Sequence, residues 1–451
     1  MVKKRGNVEP FTLILFGSTG DLTKRKILPA MYELYKKGLD FNIVAIGRRT
    51  MSSDEYYAFA SEFIKRDKGF KKRVSYFIAD FQNEGQICLI PEYLNKNLKK
   101  SIICYLAVSP NYFSPIIKQL SKCGFVKKHH GSVRVVFEKP FGDNLKSARK
   151  LNKTIGKLFK EDQIYRIDHY LGKEAVQNLL VLRFANQLLE SDWCNKYIEK
   201  VHIYAKESIG VGTRAGYYDK IGALKDMVQN HLMQILSLVA MEKPKDFSAA
   251  ALRSEKLKVV KSLKLRNVKK QIVKGQYTGY LKEKNIALGS KTETYVGLKL
   301  EVHNKRWQGV PFYLETGKSL KEKKVGVDIY FKPVDNIFGF DIAPNIMEIN
   351  IEPQGDINYL FNTKEIGHEL KVRRVTMNFS SESEFGGKGM EAYEKLIFDI
   401  SRGDQTLFTR SDEIEASWKL IDSISRKWKK FPLYKYKKGS LGPKEKGKVI
   451  D

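Results

Sequence analysis

An acid, an imidazole, a phenol and an amine fall within six positions of one short stretch, Ile164-Tyr165-Arg166-Ile167-Asp168-His169-Tyr170-Leu171-Gly172-Lys173-Glu174. The apolar lead-in, Ile164 to Ile167, predicts a short strand. The spacing of Ala175, Val176, Leu179, Leu180, Arg183 and Phe184 predicts a helix after Lys173. The polar cluster therefore sits where a strand ends and a helix starts, the edge at which open α/β sheets bind ligands. A helix beginning near Asp168 would put His169 and Lys173, four positions apart, on one face. Two cationic tips and a phenol beside a helix N-terminus suit a phosphate. Asp168 can only accept; it either orients an imidazole from elsewhere or caps the helix start.

Four other places carry groups of chemical interest. Phe11–Phe16 runs into Gly17-Ser18-Thr19-Gly20-Asp21-Leu22 and a helical pattern, a strand–glycine–helix turn that lets backbone approach a pyrophosphate. It is a GxxG and not the full dinucleotide fingerprint. The second strand-like run, Asn42–Ile46, ends in Gly47-Arg48-Arg49-Thr50, where an NAD enzyme would carry an acid. Arginines there suit a 2′-phosphate and point to NADP. Glu138-Lys139-Pro140-Phe141-Gly142 follows the run Val133–Phe137; Lys139 at that edge could reach both cofactor and substrate, and the isomer of Pro140 stays open. In the helical pattern Ala223–Met241, His231 shares a face with Leu224, Val228, Ile235 and Leu238, beside Asp226 and Gln229-Asn230. Such a histidine is either a packed core residue or a base. Glu207 and Lys318 follow strand-like runs and are further polar groups at element ends.

The elements that must position these groups follow two grammars. Up to about Ile167, strand-like runs (Phe11–Phe16, Asn42–Ile46, Val74–Ile78, Ile102–Ala107, Val133–Phe137, Ile164–Ile167) alternate with helical stretches (Asp21–Lys37, Asp54–Arg66, Pro110–Cys123, Asn144–Phe159). That alternation predicts a Rossmann-like, doubly wound parallel sheet covered on both faces. Beyond Lys173 come helices at Lys173–Leu189, Ala223–Met241 and Ser248–Leu263. Strands follow at Tyr295–Val302, Pro311–Glu315, Val327–Phe331, Asn345–Ile351 and Val372–Phe379, and helices at Met390–Ile400 and Glu413–Trp428. This half predicts an α+β domain with a large, mainly antiparallel sheet. The expected division is residues 1–170 for the cofactor and 171–451 for substrate and oligomerisation, with the polar cluster in the cleft between them.

At 451 residues the chain exceeds one core, and 42% hydrophobic content is ample for folded domains. A net charge of +30 suits nucleic acid, a membrane surface or small anions. The lysines are spread from end to end, which argues against nucleic acid. No run approaches a membrane span. The apolar run Phe11–Phe16 is too short for a signal peptide and ends in charge. Cys88, Cys104, Cys123 and Cys194 form no CxxC pair, so a reduced, cytosolic chain without disulfides or zinc is expected. The histidines, including the adjacent His129-His130 in a basic loop, show no metal spacing. The Lys- and Gly-rich tail, Lys435 to Asp451, is expected to be disordered at its end.

Taken in order, Gly-Ser-Thr-Gly-Asp-Leu, Glu-Lys-Pro-Phe-Gly, Arg-Ile-Asp-His-Tyr-Leu-Gly-Lys-Glu and Gln-Asn-His-Leu resemble the glucose-6-phosphate dehydrogenase family. Val181–Asn186, Val239–Pro244 and Arg306–Phe312 extend the likeness over nearly the whole chain. The resemblance implies oxidation of glucose 6-phosphate to the 1,5-lactone with NADP, the first step of the oxidative pentose phosphate pathway. It implies His231 as the base and Asp168 as its orienting partner. It assigns His169, Tyr170 and Lys173 to the phosphate, and Lys139, Glu207, Asp226, Lys318 and Lys323 to the sugar or its phosphate. Gly17, Ser18, Thr19, Gly20, Asp21, Leu22, Arg48 and Lys139 fall to the cofactor, and a homodimer or dimer of dimers is implied. The chain departs from the family at Glu352-Pro353, where many members carry Gln-Pro as a substrate contact. A Rossmann sugar oxidoreductase of the glucose–fructose oxidoreductase kind would share Glu-Lys-Pro but leave the Asp-His-Tyr-Leu-Gly-Lys block unexplained.

Overall fold

The computed structural model describes residues 8–450 apart from 82, 84, 91–92, 94–98, 100, 126–132, 267–269, 336 and 388, so His129-His130 and the first seven residues lie outside the described residues. Two compact units form. One holds residues 1–172, 246–253 and 390–415; the other holds 173–245, 254–389 and 416–451.

The first unit is built on six parallel strands: β1 (Phe11–Phe16), β2 (Phe41–Gly47), β3 (Val74–Ile78), β4 (Ser101–Leu106), β5 (Val133–Phe137) and β6 (Ile164–Arg166). Their order is β3-β2-β1-β4-β5-β6, the doubly wound arrangement expected from the alternation. Every residue of β1 and β4 is buried, which is why both read as unbroken apolar runs with no inside–outside alternation. The crossover helices start on local caps. Ser52 Oγ accepts the Glu55 amide at 3.2 Å while Glu55 accepts the Ser52 amide at 2.7 Å, and Asn144 Oδ1 accepts the Ser147 amide at 2.9 Å. A late segment completes the unit. Arg134 donates to the Ser401 carbonyl at 3.1 Å, and the Gln405 amide bridges the carbonyls of Glu161 and Ile164 at 2.8 and 3.0 Å.

Two expectations are corrected in or near this fold. Cys88 and Cys123 form a disulfide, with Cα atoms 5.1 Å apart, across 35 residues of sequence. Cys88 lies on the β3–β4 crossover and Cys123 at the end of the helix Phe113–Lys122, a proximity that linear spacing does not carry. The C-terminal tail, in the second unit, is ordered through Ile450: β16 (Leu433–Tyr436) pairs in parallel with β9 (Ile272–Tyr277), and Ile450 packs where a Cβ on Gly297 would sit 2.5 Å away.

The second unit carries a ten-stranded mixed sheet. Besides β9 and β16 its strands are β7 (Ile198–Lys206), β8 (Leu263–Lys264), β10 (Tyr295–Val302), β11 (Pro311–Gly317), β12 (Lys324–Phe331), β13 (Ile346–Glu352), β14 (Asp356–Lys364) and β15 (Val372–Ser380). Along β15-β14-β13-β12-β7-β11-β10-β9-β16 only the β7–β11 and β9–β16 pairs are parallel, and β8 pairs with β10. The helical segment Met233–Ala240 is buried at every residue. Its end is satisfied by buried donors: Arg183 to the Leu238 carbonyl at 3.0 Å, and Trp193 and Trp307 to Val239 and Ala240 at 2.8 Å. These bonds answer the unpaired carbonyls of a helix C-terminus and fix the rest of the helix along its axis.

Candidate active site

In the first unit, the turn after β1 is tight. Gly17 adopts φ +80°, and a Cβ there would meet the Ala107 carbonyl oxygen at 2.2 Å, so only glycine fits. The Gly20 amide donates to the Gly17 carbonyl at 3.0 Å, and Ser18 Oγ donates to the Ile46 carbonyl at 2.9 Å, tying the turn to β2. Tyr56 donates to the Ser18 carbonyl at 3.1 Å from below. The helix that follows is wound π-wide over Thr23–Ile27 before becoming α over Leu28–Lys36. At the end of β2, Arg48 and Arg49 are exposed. Backbone at a helix start plus two exposed guanidiniums suits a dinucleotide carrying an extra phosphate.

At the end of β5, Glu138 is buried and accepts a 2.6 Å hydrogen bond from Tyr105, with Tyr393 bonded to it as well. Burial pushes the Glu138 carboxyl up to about 7, against the pull of Tyr105, Lys139 and Tyr393. The next peptide, Lys139–Pro140, is cis. Tyr393 also stacks on His169, 6.3 Å between ring centres at 12°. The stretch Asp168–Gly172 is a turn and the helix starts only at Glu174, with Lys173 as its N-cap. The expected one-face pairing of His169 with Lys173 is therefore corrected. The Asp168 carboxylate accepts the Tyr170 amide at 3.0 Å and its carbonyl accepts the Leu171 amide at 3.0 Å, so local capping wins over helix. Gly172 permits this turn to touch the helix Ala392–Arg402: a Cβ would lie 2.5 Å from the Ala392 carbonyl oxygen.

In the second unit, His231 is 1% exposed on a π-wide helical segment, Leu224–Leu232, with Asp226 nearby at 7%. The Met233 amide reaches back five residues to the Val228 carbonyl, and the Asn230 side-chain amide donates to the Lys225 and Asp226 carbonyls at 3.1 and 3.3 Å. Such widened turns concentrate at functional sites because they re-aim side chains. The segment begins at a kink, Gly222 (φ +70°), where a Cβ would strike Glu293 at 2.4 Å. Glu293 accepts the Leu224 amide and the Trp428 indole, both at 3.0 Å, and so fixes where the helix starts; burial raises its pKa.

Lys318 donates to Glu207 at 2.5 Å and lies over the Tyr218 ring at 5.2 Å. The β7–β11 register makes this pair: Lys206 faces Gly317, so the residues that follow each strand meet. Burial and the neighbouring Asp226 hold the Tyr218 phenol well above its usual range. Glu352, at the end of β13, bridges Lys173 and Lys323; the Lys323 contact is 2.9 Å. Burial opposes its charge, yet the two lysines win and lower its pKa.

The comparisons with known proteins agree with this geometry. Residues 14–178 match the family model "Glucose-6-phosphate dehydrogenase, NAD binding domain", and 180–451 match "Glucose-6-phosphate dehydrogenase, C-terminal domain". The chain is 38% identical to glucose-6-phosphate 1-dehydrogenase of Borreliella burgdorferi over 99% of this chain and 98% of that protein. It is 40% identical to the Bacillus subtilis protein of that name, over 97% and 96%. The chain belongs to the glucose-6-phosphate dehydrogenase family. A solved glucose-6-phosphate dehydrogenase in complex with glucose 6-phosphate overlays with a TM-score of 0.90 at 32% identity, covering 97% of this chain and 96% of that one.

Three of the glucose-6-phosphate dehydrogenase motifs fall at element junctions, after β1, after β5 and after β6, and a fourth lies on the π-wide helix. Three contributors carried no signal in the sequence. Glu293 acts on residues 69 and 135 positions away, and Tyr105 and Tyr393 both bond Glu138 from distant parts of the chain. No helix among the described residues is long and apolar enough to cross a membrane.

Proposed function

We infer that this glucose-6-phosphate dehydrogenase oxidises β-D-glucose 6-phosphate at C1 to 6-phospho-D-glucono-1,5-lactone, using NADP⁺. The observation that carries the reading is a buried histidine, His231, held on a locally widened helix in a chain that matches both halves of the family. Bound NADP⁺ supplies the hydride acceptor. The chain supplies the rest. His231 takes the proton of the C1 hydroxyl as the hydride departs, and Asp168 holds the imidazole tautomer and steadies its positive charge. His169, Tyr170, Lys173 and Lys323 bind the phosphate. Glu207, Lys318, Asp226 and Lys139 orient the ring, with the Lys318–Glu207 pair already built. Binding energy from the remote phosphate thereby places C1 for transfer. Gly17 to Leu22 and Lys139 hold the dinucleotide, and Arg48 its 2′-phosphate. A cytoplasmic homodimer or dimer of dimers, binding no nucleic acid, completes the reading.

The test is absorbance at 340 nm with glucose 6-phosphate or glucose, each with NADP⁺ or NAD⁺. The expected result is a strong preference for glucose 6-phosphate with NADP⁺. Equal or better turnover of unphosphorylated sugar would favour a glucose–fructose oxidoreductase kind of enzyme instead.

A further inference from the structure

Glu352 stands where it should weaken the binding of an anion. It closes β13, whose register sets it opposite Val325, two residues beyond Lys323. After the cis Glu352–Pro353 peptide, a Cβ placed on Gly355 would lie 3.7 Å from the Ala175 Cβ, in the first turn of the helix that follows Lys173. The carboxylate thus stands between the end of an interior strand and a helix N-terminus. One of its oxygens bonds Lys173 and the other lies 2.9 Å from Lys323. Both side chains nearest the helix start are largely withdrawn from solvent: Lys173 is 15% and Glu352 25% exposed, while Lys323 remains open at 62%.

We propose that Glu352 is an internal counter-anion that competes with the substrate's phosphate for Lys173 and Lys323, and so sets the affinity for phosphorylated sugar. This rests on the reading of those two lysines as part of the phosphate grip. A phosphate monoester carries close to two negative charges near pH 7. To bind, it must either take both ammonium groups from Glu352 or share them with a carboxylate at close range. Either route costs affinity that a neutral amide of the same shape would not cost. A sugar without phosphate makes no claim on the lysines and is unaffected. The carboxylate also holds both lysines in position, so the grip is ordered but partly neutralised, with a net charge of one rather than two. Inorganic anions meet the same competition.

The test compares wild type with Glu352→Gln, Glu352→Ala, Lys173→Ala and Lys323→Ala. Each is assayed with NADP⁺ on glucose 6-phosphate and on glucose, and for inhibition by inorganic phosphate, with melting curves to confirm folding. Both Glu352 variants are expected to lower KM for glucose 6-phosphate about ten-fold, the scale of one charged hydrogen bond. Inhibition by inorganic phosphate should strengthen in parallel, kcat should move less than KM, and KM for glucose should hold within about two-fold. The Ala variant tests the charge if the Gln variant does not fold. A rise in KM for both sugars would make Glu352 a direct ligand of the ring and overturn the proposal. So would an unchanged KM for glucose 6-phosphate in the Glu352 variants when Lys173→Ala raises it. If neither lysine variant raises that KM, the phosphate grip itself is wrong, which is a different failure.

Discussion

At the scale of single residues, the proposed base is His231. It is buried on the same π-wide segment as Asp226, which closes with an i→i+5 bond, so its position is defined by backbone as well as packing. Neutral imidazole suits a proton acceptor near pH 7. His231→Asn keeps size and polarity but removes the basic nitrogen, and kcat should fall roughly 10²–10⁴-fold, the range for a general base. Asp168→Asn should cost less, because the imidazole remains. Titration with glucose 6-phosphate should give nearly the wild-type Kd in His231→Asn. A packed but idle histidine would lower the melting temperature and leave turnover per folded molecule intact. Arg48 is exposed at the end of β2. Arg48→Ala should raise KM for NADP⁺ about ten- to a hundredfold, the worth of a charged hydrogen bond of roughly 1.5–3 kcal/mol, with NAD⁺ use much less affected. Equal losses with both cofactors would show that Arg48 only maintains the loop.

At the scale of elements, buried carboxylates stand at element ends. Glu293 receives the first amide of the helix that carries His231, and Glu138 receives Tyr105 at the end of β5. Glu138 makes a pH prediction. Its folded pKa of about 7 lies above the ordinary 4.5, so the folded state holds the proton more tightly. The stability this gives is complete below about pH 4.5 and lost as pH rises through 7. The difference in unfolding free energy between wild type and Glu138→Gln should therefore shift against wild type from pH 5 to pH 8, by on the order of 3 kcal/mol at most. A difference that is flat with pH would mean that the Tyr105 and Tyr393 bonds keep Glu138 ionised throughout.

For the molecule as a whole, charge acts in two ways. Inside the large sheet, Glu315 is 1% exposed among Lys206 at 3.3 Å, Lys446 at 3.4 Å, His202 at 3.2 Å and the Tyr295 hydroxyl at 2.8 Å. Burial alone would raise its pKa, but these neighbours hold it well below the carboxylate range. A depressed pKa contributes stability that is present above the unfolded value and lost as pH falls through the folded one. Glu315→Gln should cost up to about 3 kcal/mol at pH 7, as breaking a buried pair does, and the gap to wild type should narrow toward pH 3. Unfolding curves at several pH values would show whether it does. Outside, a net charge of +30 faces two anionic ligands. Screening acts on encounter, so added salt should reduce kcat/KM more than kcat. An equal decline in both would rule out steering.

What the sequence determined by itself is the part written in local rules. Continuous apolar runs separated by amphipathic stretches specify a parallel sheet, because strands buried on both faces leave no polar alternation; the order β3-β2-β1-β4-β5-β6 is decided only in the folded chain. Gly17 was legible because a sharp turn into a helix needs the one residue that tolerates φ +80°. The strands β9 and β14 were not legible: Ile-Val-Lys-Gly-Gln-Tyr and Asp-Ile-Asn-Tyr-Leu-Phe-Asn-Thr-Lys mix polar and apolar residues too freely for a period to stand out. The turn at Asp168–Gly172 read as a helix start because the competing event, a carboxylate accepting the Tyr170 amide, leaves no periodic trace. Tertiary structure alone decided which distant groups meet. It set Cys88 on Cys123, drew the lysine-rich tail into the sheet through β16, and placed Glu352 between Lys173 and Lys323. Each is a contact between residues dozens to hundreds of positions apart, fixed by register and crossover geometry, and no spacing in the chain encodes it.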